Sequence, residues 1–403
     1  MTRRRLLRAA GAAAVSTFAG PLLGFGRCRL EAEGPVLSVR AVDLVHESTV
    51  VDMLGLLTMD WPRLRRWQST PREFTEGDYR GLERSGIDVF HPAVEPEAED
   101  PVEGALRWIE RWGRLLSRGE GCYLDRVESA ADLLRIPAQG KLGVIVGFQN
   151  STHFRAPADV ERFFRLGQRV SQLTYNDRNR LGAGCRVEDR GLTAFGREIV
   201  SEMNRVGMAV DISHCGERTS RDAIALSRRP VLVTHSNCRA LAPGQPRCKS
   251  DEILRLVAAG GGVIGLTVVR AFVGGRGDLA RLLDHFDHVA GLVGPEHAGL
   301  GSDVDLEGVN AATGLPSSSY RIDGLSLSRR VFQIADGLLG RGWTESDVAG
   351  VLGGNFLRAL SAIWPEPRWP PLSERWPRRD PFCPAPGEGT SGVEEEPSGQ
   401  GAM

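Results

Sequence analysis

Four signatures are missing from this chain of 403 residues. None of its seven cysteines falls in a Cys-x-x-Cys or similar metal-type spacing, and an odd number precludes complete intramolecular pairing. No Gly-x-Gly-x-x-Gly opens the first strand–helix turn, so there is no nucleotide fingerprint. No apolar run reaches the roughly 20 residues needed to span a bilayer. Charge of one sign is not in excess either: the formal net charge is −1 and the pI about 6.7, which argues against nucleic acid or an anionic membrane as partner. With 41% hydrophobic and 25% charged residues, the remaining class is a soluble globular protein whose partner is a small molecule.

The N-terminus carries a different message. Thr2-Arg-Arg-Arg5-Leu-Leu-Arg8 precedes Ala, Gly, Val, Phe and Leu up to about Phe25, the layout of an export signal. The tandem arginines resemble a twin-arginine signal, so residues 1–30 are expected to direct export to the periplasm or another extracytoplasmic space. At the other end, residues 363–403 turn to Pro, Trp, Arg and Glu and then to Pro, Gly and Ser. Such a tail cannot bury a core of its own.

Between these ends, Val-, Ile- and Leu-rich runs recur at Thr49–Gly55, Ile87–Val94, Leu142–Gln149, Val170–Asn176, Met208–His214, Val231–Ser236, Gly262–Val269 and Ala298–Asp303. Segments of helical period separate most of them, among them Val102–Leu116, Thr193–Val206 and Leu279–Leu292. Near-continuous apolar character fits parallel strands buried on both faces. Eight alternations of strand and helix predict an α/β fold of the (β/α)8 TIM barrel type over residues 36–362. Gly260-Gly-Gly262 reads as a helix exit before the seventh strand.

Chemistry in such a barrel collects at the carboxyl ends of the strands. Ala209-Val-Asp-Ile-Ser-His214 and Val231-Leu-Val-Thr-His235 each run straight into a histidine. One crossover separates them, so both imidazoles are expected at the same rim, within reach of one ion. The other strands end in Asp52-Met-Leu54-Gly-Leu56, Gly147-Phe-Gln149-Asn150, Leu173-Thr-Tyr175-Asn176 and Gly301-Ser-Asp303-Val-Asp305. Two imidazoles with a nearby carboxylate suit a divalent ion such as zinc with open positions for water. Asp303 can orient that water and pass its proton to a leaving amine. Cys215 and Cys238, just after the two histidines, read as small buried thiols. His153 and His46 read as surface residues, and His91 falls in the second strand.

At these positions the chain resembles the membrane (renal) dipeptidase family of the amidohydrolase superfamily, from about residue 47 to 362. The likeness is densest in Gly191–His214, Val233-Thr-His235-Ser-Asn-Cys-Arg-Ala-Leu241, Pro246-Arg247, Gly301–Asp305 and Gly354-Asn-Phe-Leu-Arg358. It implies a dizinc (β/α)8 hydrolase of short dipeptides. By position, His214 and His235 match the histidines on one zinc, Asp303 the catalytic aspartate, and Arg247 the arginine that grips the substrate carboxylate. Tyr175 stands where the family has a substrate-contacting histidine, and Asn176 beside it is expected to contact substrate too.

The departures narrow this expectation. The family's strand-one Asp-x-His-x-Asp supplies a histidine and an aspartate to the other zinc; here those positions are Leu54 and Leu56. The bridging glutamate is Gln149, which can offer at best an amide oxygen. Two zinc ions carry four positive charges that this set cannot neutralise. The expectation is therefore a dipeptidase-like hydrolase holding one divalent metal, zinc by resemblance, on His214, His235 and Gln149. Its substrate would be a small carboxylated molecule such as a dipeptide, and a homodimer is left open as its assembly. The competing reading is a degenerate barrel that binds a carboxylated ligand or a partner without chemistry.

Overall fold

The computed structural model describes residues 36–96, 99–117, 123–310 and 313–364. The expected export signal at 1–30 lies outside them, as does the tail from residue 365 on. Among the described residues there are ten strands: β1 (Val51–Asp52), β2 (Val89–Phe90), β3 (Leu124–Arg126), β4 (Leu142–Val144), β5 (Val146–Phe148), β6 (Gln168–Gln172), β7 (Ala209–Asp211), β8 (Val233–Ser236), β9 (Ile264–Leu266) and β10 (Ala298–Leu300). Each of the eight expected runs overlaps one: β6 begins two residues before the run at Val170, and the third run is split at Ile145 into β4 and β5. The additional strand, β3, pairs with β4 only and stands outside the ring.

All named pairings are parallel. The order runs β1–β2–β4, then β5–β6–β7, and β8–β9–β10 back to β1. A bridge between Asp211 and Leu232 joins β7 to β8, and one between Val94 and Phe148 joins the end of β2 to β5. With β4 and β5 a single residue apart, these contacts run around the barrel. Helices lie between the strands, as the apolar faces of Thr193–Val206 and the other periodic segments require. The helix Ala194–Val206 starts where Thr193 Oγ1 accepts from the Gly196 N–H and stops at Gly207, whose φ of 85° is left-handed. Among the described residues no helix is long and apolar enough to cross a membrane.

The strand period of two divides the barrel residues into two sets. Val51, Val89, Ile145, Val170, Ala209, Leu232 and Val263 form one buried cluster with Phe356, Ala359 and Leu360 of the helix Asn355–Ile363. Two residues further along the strands, the same side presents Met53, His91, Gly147, Gln172, Asp211, Thr234 and Gly265, Met53 still belonging to the apolar cluster. An apolar floor therefore gives way to a polar layer as the strands approach their carboxyl ends. Gly147 is required there: a Cβ would stand 2.2 Å from His91 Nε2. At the end of the last helix Trp364 is buried, its indole donating to the Arg169 carbonyl.

Asp52 faces the helix layer. It forms a buried ion pair with Arg330 at 3.1 Å, the side chains 1% and 2% exposed, and accepts from both the N–H and the hydroxyl of Ser302. Removing one partner strands a buried charge, so Arg330→Met is expected to destabilise the fold by about 3–5 kcal/mol. Urea denaturation of the variant measures this; a midpoint equal to that of the parent would contradict it.

Candidate metal and hydrolytic site

His214 follows β7 and His235 lies within β8, and their Nε2 atoms stand 3.1 Å apart. Both are buried, 6% and 0% exposed. The hydrogen bonds on the far sides of the rings fix where their protons sit. His214 Nδ1 lies 2.9 Å from Asn176 Oδ1, which can only accept. His235 Nδ1 lies 2.8 Å from Thr234 Oγ1, and the Thr234 hydroxyl already gives its hydrogen to Asp211 Oδ2 at 2.7 Å. Each ring thus carries its hydrogen on Nδ1. The two Nε2 lone pairs then face each other.

Nothing in the protein resolves that opposition by protonation. Burial, first, and the charge of Arg247, second, push both imidazoles well below the ordinary histidine range. A cation between the rings does resolve it. Nitrogens about 2.0–2.1 Å from one zinc lie no more than about 4.2 Å from each other, a condition that 3.1 Å meets. The residues present fit one cation. They do not fit two: Leu54 and Leu56 are buried at 0% and 5% exposure and carry no donor atom. Among the described residues no group of three His, Cys, Asp or Glu side chains converges on a point, so the imidazole pair has no third ligand of those types.

Asp211 is the hub beneath the pair, and sequence reading passed over it. Its carboxylate accepts from the Ser213 N–H and hydroxyl and from the Thr234 N–H and hydroxyl. One buried side chain thereby holds the ends of β7 and β8 together and fixes the His235 tautomer through Thr234. An aspartate in the middle of Ala209-Val-Asp-Ile-Ser was the available signal, since a carboxylate in a buried strand needs such a set of donors.

Arg247 is not a surface charge. It is 4% exposed, and its two terminal nitrogens donate to the Ser213 and His235 carbonyls at 2.5 and 2.6 Å. Lys249, one of only two lysines in the chain, is equally buried and donates to the Cys215 carbonyl at 2.8 Å. Burial lowers its ammonium to about 8. Two cations therefore brace the histidine loops and surround the imidazoles with positive charge.

Asp303 and Asn176 are the only non-glycine residues with positive φ among those described, at 61° and 46°. Such backbone is costly and persists where surrounding bonds hold it. Asp303 is held by its N–H to the Leu54 carbonyl at 3.0 Å and by Ser302, which Asp52 grips. Burial raises the Asp303 carboxyl to about 7, Arg247 pulling down and Asp52 pushing up. Tyr175 stacks on His214, ring centroids 4.2 Å apart; burial and then Asp303 raise its phenol.

The other expected site residues are more distant in role. Asn176, expected to contact substrate, uses its side-chain oxygen on His214 and on the Cys185 thiol. Gln149 donates its amide to the Ala93 carbonyl at 3.0 Å, and none of its hydrogen bonds ties it to either imidazole. His153 corrects the surface reading: it is fully buried, bonded to Gln168 at 3.0 Å and packed among Phe148, Phe154 and Phe163. His91 donates from Nδ1 to the Met53 carbonyl, leaving its buried Nε2 without a partner. Cys215 and Cys238 are free buried thiols, as expected.

The membrane dipeptidase family model (peptidase family M19) matches residues 40–365. The dipeptidase tcpJ of Claviceps purpurea is 31% identical over 288 residues, covering 69% of this chain and 65% of that protein. The dipeptidase verJ of Clonostachys rogersoniana is 30% identical over 249 residues, covering 60% and 61%. The matched region thus spans less than two thirds of the length of these curated relatives. Among solved structures, an amidohydrolase from Pseudomonas aeruginosa superimposes with a TM-score of 0.68 at 28% identity, over 81% of this chain and 99% of that one. A metallopeptidase from Rhodobacter sphaeroides, liganded with a phosphinate mimic of the dipeptide L-Ala-D-Ala, has the same fold at a TM-score of 0.62 and 22% identity, over 78% and 99%. With the barrel, the paired histidines and the match over residues 40–365 in agreement, the chain belongs to the membrane dipeptidase family, peptidase family M19.

Proposed function

We propose that the protein hydrolyses the amide bond of a small carboxylated substrate, a dipeptide in the first instance, with one divalent cation on His214 and His235. The observation that carries this reading is the pair of Nε2 lone pairs facing each other 3.1 Å apart at a barrel rim that also holds Asp303. A divalent cation bound there would polarise a carbonyl and lower the pKa of a bound water to about 7. Asp303, poised near neutrality, accepts the proton of the attacking water as its oxygen bonds to the amide carbon, and returns it to the nitrogen as the C–N bond breaks. Arg247 supplies positive charge for the substrate carboxylate while its donors brace both histidine loops. Asn176 and Thr234 hold the imidazoles in their ligating tautomers, and Tyr175 covers the face of His214. Residues 1–30 are proposed to export the protein by the twin-arginine route.

The expected pH dependence follows from the raised Asp303 carboxyl. Below about pH 7 it is protonated and cannot accept, so kcat/KM should fall as pH drops through that value. Asp303→Asn should lower turnover by about 10²–10⁴-fold and abolish that acidic limb. A dipeptide panel assayed from pH 5 to 9 with added zinc or manganese tests both points. An unchanged limb in the variant would remove Asp303 from proton transfer.

A second reading, ligand binding without turnover, is favoured by the apolar Leu54 and Leu56, which occupy positions that hold the second zinc in the resembled family. Thermal stabilisation by dipeptides with no product formed at any pH would select it.

A further inference from the structure

The imidazole pair is ringed by positive charge that the fold itself does not neutralise. Arg247 and Lys249 are 4% and 1% exposed, and they donate to the carbonyls of Ser213, His235 and Cys215 at 2.5, 2.6 and 2.8 Å. These carbonyls belong to His235 itself and to the two neighbours of His214. Arg330 buries its charge against Asp52; among the described residues neither Arg247 nor Lys249 has a carboxylate at ion-pair distance. A buried charge without a counter-charge is costly to the fold, and groups so placed in a site are candidates for function.

A third cation stands at the edge of the site. Residues 183–186 run beside both loops: Gly184 bridges Cys215, the Cys185 N–H donates to the His214 carbonyl, and the Arg186 N–H donates to the Asn176 carbonyl, each at 2.9 Å. Gly184 permits this approach, since a Cβ there would stand 2.1 Å from the Asn176 carbonyl carbon. Arg186 is thus pinned beside the residue that holds His214. Its side chain is exposed and has no hydrogen bond or ion pair with a described residue, so its guanidinium is free to meet a ligand. Burial, then Arg247, and among the further charges Lys249 and Arg186 hold the His214 imidazole low; all three cations are felt at the ring.

The opposing charge is smaller. Asp211 has its oxygens filled by four donors, Asp303 stands on the same rim, and Glu95 is tied to Asn150 at 2.7 Å. Asp177 is exposed to solvent and pairs with none of these cations. Leu56 and Gln149, where the resembled family has carboxylates, are neutral. With a divalent ion on the imidazoles, positive charge outweighs negative across the rim, and a low-dielectric site focuses that field on an incoming substrate.

We propose that this rim selects substrates with a second negative charge, dipeptides bearing an acidic side chain as well as the terminal carboxylate, and that Arg186 contacts the added carboxylate. The assignment rests on the amide-hydrolysis reading and narrows its substrate class. Arg247 and Lys249, being buried, act through space. Arg186 donates directly, with a fork suited to a carboxylate. A hydrogen bond to a charged group is worth about 10–100-fold in affinity.

The test uses the full chain loaded with zinc and isosteric pairs of dipeptides: alanyl-aspartate with alanyl-asparagine, and alanyl-glutamate with alanyl-glutamine. The acidic member of each pair should exceed the neutral one by about tenfold or more in kcat/KM, chiefly through KM. Arg186→Gln, at an exposed position, should cut that ratio about tenfold and leave the zinc stoichiometry unchanged; Arg186→Glu should bring the ratio to one or below. Equal use of acidic and neutral dipeptides by the parent, or a ratio unchanged in both variants, would overturn the proposal. If the parent cleaves none of them, the amide-hydrolysis reading has failed, and calorimetry with the same uncleaved dipeptides tests the rim by itself. Tighter binding of the acidic member of each pair, weakened by Arg186→Gln, then supports the anion-selective rim, and equal binding within each pair overturns it.

Discussion

Alanine at His214 or at His235 is expected to abolish divalent-cation binding and amide hydrolysis together. Replacing an outer partner of a metal ligand already costs about 10–100-fold in affinity, so loss of one of two imidazoles should cost at least about a hundredfold. Asn176→Leu, which leaves both rings in place and removes only the acceptor 2.9 Å from His214 Nδ1, should fall in that 10–100-fold range. Metal analysis after dialysis and calorimetric titration with zinc and manganese should give one ion per parent chain and none per alanine variant. Retention of the ion by His214→Ala would sink the assignment of the pair. The combined substitutions Leu54→His, Leu56→Asp and Gln149→Glu should raise the stoichiometry towards two, because they restore a carboxylate and imidazole set for a second ion. A parent that already binds two would show that other residues ligate it.

Stability should fall steeply on acidification from about pH 6.5. Five histidines are buried and held below their ordinary range by desolvation: His91, His153, His214, His235 and His285, with His153 and His285 at about 4. In the unfolded chain each takes up a proton near 6.5, whereas in the folded chain it does not, so below that pH the unfolded state binds more protons and gains relative to the native one. Asp303 has the opposite sign, since it is protonated at about 7 when folded and near 3.8 when unfolded. One histidine is thereby offset. Each ring that stays neutral contributes up to about 1.4 kcal/mol per pH unit below 6.5, so the histidines together outweigh the single opposing carboxyl and stability falls on acidification. Urea midpoints of the metal-free protein across this range measure it, and His153→Gln with His285→Gln should flatten the curve. Midpoints constant from pH 7 to 5 would contradict the buried neutral state of these rings.

Much of the architecture was legible in the chain because buried parallel strands and amphipathic helices write their periods into composition. Each of the eight apolar runs overlaps a barrel strand, and Val102–Leu116, Thr193–Val206 and Leu279–Leu292 match helices within two residues of those bounds. The short strand Leu124–Arg126 was not legible, being three residues long and containing Asp125 and Arg126. The histidine pair was also legible, because two strand-terminal histidines one crossover apart must meet at one rim. Roles that depend on what a side chain touches were not. Arg247 and His153 follow turns and look exposed in a string of letters; only packing shows the first clasping two carbonyls and the second enclosed by three phenylalanines.

Sequence alone determined the barrel, the rim on which its chemistry sits, and the absence of ligands for a second ion at Leu54 and Leu56. The tertiary structure decided what the remaining residues do with that loss. Asp211 and Asn176, 35 residues apart in sequence, set the proton positions of the two rings, and Asp52 and Arg330, 278 residues apart, seat the turn that raises Asp303. Proton placement and pKa depend on burial and on neighbours brought in from distant strands, and neither is encoded in the local pattern that specifies a strand or a helix.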